Sequence, residues 1–161
     1  MRCEQCSLSD NKMPNHKQKS NGKAGSGFLV QMPRKSNPRR EFRLQQRKRI
    51  EASPLMTEKF PRLKALRVAL EFFDATGTTK QGEMKCKMYV EQARSVLWFA
   101  CPGVECTWGD FDLSEALAKA VAGRRKIAAG ELQCQGTRRR GNGELVACGT
   151  VLRYKLNLNY D

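Results

Sequence analysis

The chain has 161 residues, 40 % of them hydrophobic, and carries a net charge of +14 at a pI of about 9.8. That length holds one modest domain plus a tail, and a mean hydropathy of −0.62 leaves no room for a large core. No apolar run approaches the ~20 residues of a membrane span, and "MRCEQCSLSDNKMPNHKQKS" lacks the apolar stretch of a signal peptide; the expectation is a cytoplasmic protein with no membrane partner.

Seven cysteines in a cytoplasmic chain argue for metal ligands or buried thiols. A disulfide framework is disfavoured by reducing surroundings and by the odd count. A charge of +14 draws polyanions through its long-range field, and nucleic acid is the commonest one in the cytoplasm. A solvated basic surface with no specific partner is the alternative.

Residues 1–58 hold 13 Lys/Arg against 5 Asp/Glu, a net of +8, and are rich in Ser, Asn, Gln, Gly and Pro. Such a segment buries too little to offset the entropy of ordering. It reads as a disordered basic tail with a short helix in "REFRLQQRKRIEA". "MTEKFPRLKAL" also looks like a natural start, so residues 1–55 could be a start-site misassignment with the true start at Met56. "CEQC" gives Cys3 and Cys6 knuckle spacing, and His16 could add a third ligand, but no fourth lies nearby.

Residues 59–161 are expected to form the folded domain, still at +6. "ALRVALEFF" fits a helix or a strand; the turn-rich "DATGTTKQGE" and the alternating "MKCKMYV" after it favour a β-hairpin. In "MKCKMYV", Met84, Cys86, Met88 and Val90 share one face, and Cys86 reads as a core residue. "SVLWFAC" reads as a central strand ending at a Pro-Gly turn. Asp112 is placed to cap a helix with Glu115 completing a capping box. Leu113, Ala116, Leu117, Ala120 and Val121 form its apolar stripe, and Gly123 ends it. "ELQCQG" and "VACGTVLRYKLNLNY" are two further strands, the second alternating between an apolar face and a wet, basic one. The sum is an α+β domain: an antiparallel sheet of about five strands with one packed helix.

Cys101 and Cys106 bracket the turn in "CPGVEC". If the last hairpin is symmetric about Gly141, Cys134 lies directly opposite Cys148, with Cβ atoms roughly 4.5–5.5 Å apart. Two local thiol pairs separated by a helix suit tetrahedral zinc, for which a four-Cys site is closed and structural. The expected cofactor is one structural Zn2+ per chain on Cys101, Cys106, Cys134 and Cys148. Buried free thiols, or a disulfide or redox role, are the alternatives. Residues 99–150 resemble a zinc-ribbon-like or treble-clef-like four-Cys domain, though thirteen residues between Cys134 and Cys148 is long for a ribbon. The "CPGVEC…GDFDLS" run is also similar to one in small uncharacterised bacterial proteins, a likeness that implies no function.

The only histidine, His16, lies in the expected tail, which removes the usual base for a nucleophile within the fold. Asp110 and Asp112 read first as part of a helix cap. No enzyme is expected. Three basic groups are expected to contact nucleic acid, RNA or DNA: Arg124, Arg125 and Lys126 after the helix; Arg138, Arg139 and Arg140 at the hairpin tip; and the strand faces with Lys85, Lys87, Arg153 and Lys155, where Tyr89 offers a stacking surface. A protein-interaction domain for an acidic partner, its zinc purely structural, is the second reading. A thiol-based redox or metal sensor is the third.

Overall fold

The computed structural model describes residues 37–161. The candidate ligands Cys3, Cys6 and His16 lie outside the described residues.

Eleven residues of "LKALRVALEFF" are extended as β1 (Leu63–Phe73), which folds back on β2 (Lys80–Tyr89). The strand option wins because of the tight turn between them. The Asp74 carboxylate accepts from Thr78 N at 3.0 Å and Thr79 N at 3.3 Å, and Gly77 takes the left-handed φ of 72° that the turn needs. The C-terminal strand β8 (Val151–Tyr160) pairs with the other edge of β1, and β5 (Ile127–Gln133) pairs with β8. The result is a four-stranded antiparallel sheet in the order β2-β1-β8-β5. Its inner face carries Leu66, Val68, Leu70 and Phe72 of β1 with Leu152, Leu156 and Leu158 of β8, all buried.

The expected sheet of about five strands is therefore one sheet of four plus two small ribbons. "SVLWFAC" is not a central strand. Only Trp98–Ala100 is extended (β3), and it pairs with Asp110–Asp112 (β4) in a separate two-stranded ribbon. Its apolar residues serve different neighbours: Leu97 is fully buried, while Trp98 donates to Asp110 Oδ2 at 2.6 Å and meets the Phe42 ring edge-on. The second ribbon pairs β6 (Thr137–Arg139) with β7 (Leu145–Ala147).

The expectation of a single packed helix is not met either; the described residues form three. The predicted helix (Ser114–Ala122, α3) is present, buries Leu117 and Ala120 against the core, and ends at Gly123. Its start differs from the expectation. Asp112 closes β4 and Leu113 is the N-cap, with no capping box. The Asp112 carboxylate still accepts from Ser114 N at 2.9 Å, but its other oxygen pairs with Arg49 at 3.1 Å. Glu115 turns to Lys119 at 2.7 Å instead of reaching back.

The composition boundary at residue 58 is not a boundary of the structure. Pro38–Ala52 is helical (α1), opened by Asn37, whose side chain accepts from Arg39 N. No residue of α1 is buried, so its composition resembles that of a tail. Beyond it, Ser53–Met56 is stitched to residues 93–95: Ser95 N donates to Pro54 O at 2.9 Å and Met56 N to Ala93 O at 2.8 Å. Met56, which opens the short helix Met56–Lys59 (α2), is fully buried. No helix among the described residues is long and apolar enough to cross a membrane.

Candidate metal centre

The two ribbons bring the four cysteines together. Cys101 continues β3, its N–H donating to Gly109 O at 3.0 Å, and Cys106 N donates to Gly103 O at 3.2 Å. "CPGVECTWG" is thus a closed loop at the tip of the β3–β4 ribbon. The second pair sits at a pinch in one long hairpin, whose arms are β5–β6 and β7–β8. Gln133 opposes Val151 and Thr137 opposes Ala147, so the register runs unbroken through the pinch. It is centred on Asn142, with Arg140 N donating to Glu144 O, and not on Gly141 as expected. Cys134 consequently faces Thr150, and Cys148 faces Gly136, with backbone bonds of 2.8 Å in each case. The two thiols are diagonal neighbours rather than directly opposed.

Thr107 and Thr137 exchange backbone hydrogen bonds of 2.7 and 3.0 Å and dock the loop on the hairpin. The sulfurs then pair across the junction and not within each loop. Cys101 Sγ lies 3.8 Å from Cys148 Sγ, and Cys106 Sγ lies 3.6 Å from Cys134 Sγ. All four sulfurs lie within 4.8 Å of one another. Four thiolates around a zinc ion at about 2.3 Å stand about 3.8 Å apart, so the spacing fits a metal. It is nearly twice a disulfide bond of about 2.05 Å.

The site is dry, each cysteine being 2–3 % exposed. Three glycines make room for it. A Cβ on Gly109 would stand 2.5 Å from Cys134 Sγ and closer still to Cys106 Sγ; on Gly136 it would meet the Gly109 backbone at 2.5 Å and Cys106 Sγ at 2.7 Å. The third glycine, Gly103, shares a role with Gly136. Gly103 N lies 3.4 Å from Cys101 Sγ, and Gly136 N lies 3.4 Å from Cys134 Sγ, each donating to the sulfur two residues before it. The Thr150 hydroxyl, in a buried residue, lies 3.2 Å from Cys148 Sγ.

Four thiols this close cannot all ionise without a cation. A hydrogen bond from Cys134, with help from Gly103 N–H, pulls Cys101 down to about 5. Burial pushes Cys106 up to about 12, and the Cys101 hydrogen bond pushes Cys134 up as well. One thiolate is favoured at the expense of its neighbours. A divalent cation removes that competition by taking all four as thiolates.

The basic groups are dispersed. Arg124 and Lys126 line a concavity of about 750 Å³ at the far end of the sheet, together with Lys59, Arg62 and Tyr160. Arg125, beside them, is exposed. Arg138, Arg139 and Arg140 are exposed at the tip of the β6–β7 ribbon. Lys85, Lys87, Tyr89, Arg153 and Lys155 share the outer face of the main sheet. Arg153 is engaged within the fold, 2.9 Å from Glu131 and 4.3 Å above the Phe73 ring. Cys86 is half-buried against the core.

The sequence reading did not single out the residues that frame the sulfurs. "CPG" and "CQG" repeat one C-x-G pattern, and that repeat was the visible signal for Gly103 and Gly136. Thr150 and Gly109 carried none. Comparison with protein-family models, with curated proteins and with solved structures finds no match to this chain.

Proposed function

We propose that Cys101, Cys106, Cys134 and Cys148 hold one zinc ion per chain as a closed structural centre, in the manner of a zinc ribbon. The domain clipped by that ion binds nucleic acid through its basic surface. The observation that carries the metal reading is the four buried sulfurs within 4.8 Å. An all-thiolate tetrahedral set suits zinc or iron. Zinc fits a clip, because it needs no redox partner and is satisfied by four ligands. Such a centre has no open position for water, so the protein is read as a binding domain and not as an enzyme. The net charge of +14 and the exposed cations of the sheet support a polyanionic partner.

Two assays test the reading. Elemental analysis of protein purified without chelator is expected to give one zinc per chain; iron, or no metal in a folded chain, rejects the zinc centre. Titration with polynucleotides at ~50 mM salt, where phosphate contacts are strongest, is expected to show binding. No binding there rejects the nucleic-acid reading and favours a domain for an acidic protein partner.

A further inference from the structure

The outer face of the main sheet is divided along its length. At the end near the cysteines, Glu83, Glu71, Arg153 and Glu131 form one cross-strand row. Its charges are paired: Lys80 bonds Glu71 at 2.7 Å and Glu83 at 2.6 Å, and Arg153 bonds Glu131. The next row runs Lys85, Ala69, Lys155, Ala129, and the one after it Lys87, Arg67, Asn157, Ile127. Tyr89 and Asn159 flank Ala65 in the last row.

These later rows hold four cations and no acid. Lys85 reaches Glu83 at the border, at 3.5 Å, but Arg67, Lys87 and Lys155 make no ion pair among the described residues. Arg67 stands directly opposite Lys87 across the β1–β2 ladder. Like charges so placed repel, at a cost to the sheet. The four Cα positions fall within about 10 Å across the strands and about 7 Å along them. The floor between the cations is low, made of Ala65, Ala69 and Ala129. At its edge Tyr89 is 56 % exposed, with Lys87 Nζ over its ring at 5.2 Å from the centre, a contact an arriving phosphate would draw the lysine away from. Long cations, a shallow floor and an open aromatic ring are what a nucleotide with an unstacked base requires: phosphate on the cations, base on the ring. A duplex keeps its bases stacked inside and leaves the ring nothing to do.

Resting on the nucleic-acid reading above, we infer that this half of the outer face is a platform for single-stranded nucleic acid. Arg67, Lys87 and Lys155 hold the phosphates and Tyr89 stacks a base. Arg153 takes no part, because Glu131 and Phe73 already hold it. The hairpin-tip arginines belong to a separate two-stranded ribbon beyond the paired row.

The test is fluorescence anisotropy of the full chain with a labelled mixed-sequence strand of about 12 nucleotides, within the range bound by single-strand platforms, as DNA, as RNA and as the matching duplex. Either single strand is expected to bind at least tenfold more tightly than the duplex. Arg67→Ala, Lys87→Ala and Lys155→Ala together should lower the slope of log affinity against log salt by about 2. Tyr89→Ala should weaken binding by about tenfold and leave that slope unchanged. Arg139→Ala with Arg140→Ala should change neither preference nor stacking. All variants alter exposed side chains and should stay folded, the triple variant melting slightly above the wild type because the Arg67–Lys87 repulsion is gone. Single-strand binding that ignores the face variants, or duplex binding as tight as single-strand binding, overturns the platform while leaving the nucleic-acid reading intact. Displacement by polyglutamate that is insensitive to Tyr89→Ala overturns it in favour of an acidic protein. No binding of any polynucleotide overturns both.

Discussion

The two ends of the main sheet handle like groups in opposite ways. At one end four thiols are packed together, buried and framed by glycines. At the other end four cations are gathered on an open face with small residues between them, and only Lys85 reaches an acid, Glu83 at the border. Each arrangement is unfavourable by itself. The thiols cannot ionise together, and the cations repel. The difference lies in burial. A dry cluster calls for a small, permanent ion that becomes part of the fold. An exposed cluster calls for a large, exchangeable one that does not.

Breaking the thiol end should therefore unfold the protein, and breaking the basic end should not. The largest effect is expected from Cys106→Ser combined with Cys148→Ser. Metal binding contributes about 10 kcal/mol or more to small metal-clipped domains. The variant should lose the ion and its cooperative melting transition together, as read by elemental analysis and near-ultraviolet circular dichroism. Leu117→Ala, in the buried core, should cost about 2–5 kcal/mol in chemical denaturation while keeping one metal per chain. Gly109→Ala places a methyl group against two sulfurs and should cost about 1–3 kcal/mol, with faster metal loss to a chelator. Thr150→Val removes the hydroxyl beside Cys148 but keeps its shape. It should weaken metal affinity by about 10-fold or more with little change in fold, measured by competition with a chromophoric chelator.

The smallest effect concerns the β1–β2 turn. A hydrogen bond from Thr76, with others from Thr79 and Thr78, holds the Asp74 carboxyl down at about 2. Because the folded value is depressed, the turn's contribution is present above the ordinary carboxylate value near 3.8 and is lost as pH falls toward 2. Asp74→Ala should thus lower the melting temperature slightly at neutral pH and by less as pH falls to about 2, the difference vanishing below it. A difference that persists in acid contradicts this origin.

How much of this was legible in the sequence depended on whether neighbours in the chain carried the signal. β2 and β8 face solvent on one side, so their alternation was visible: Leu156 and Leu158 are buried while Lys155 and Asn159 are exposed. β1 fitted a helix as well, and only the turn and strand after it favoured the extended form. The four cysteines could be grouped because each pair is local to one turn or one hairpin. The hairpin register could not be fixed. "RRRGNGE" offers two glycines as pivots, and only the bonds between Arg140 and Glu144 choose Asn142. "SVLWFAC" misled because a mostly apolar run is the same for a central strand and for a short ribbon packed on the core. The short helix expected in "REFRLQQRKRIEA" is present as α1, but its docking was hidden. An all-exposed helix has the composition of a tail, and what ties it down, Phe42 against Trp98 and Arg49 against Asp112, is distant in sequence. Arg67 went unnoticed for the same reason: it is one arginine in an apolar strand until Lys87 is seen across from it.

The measurement that bears most directly on the contrast is metal content followed through unfolding. Protein purified without chelator would be acidified stepwise, with zinc release read by a chromophoric chelator and tertiary structure by near-ultraviolet circular dichroism on the same samples. The account predicts one zinc per chain, released in a single transition that coincides with loss of tertiary structure, as the thiolates take up protons. A well-folded chain without metal, or one that gives up its metal and keeps its structure, would contradict the claim that the ion holds this end of the sheet together.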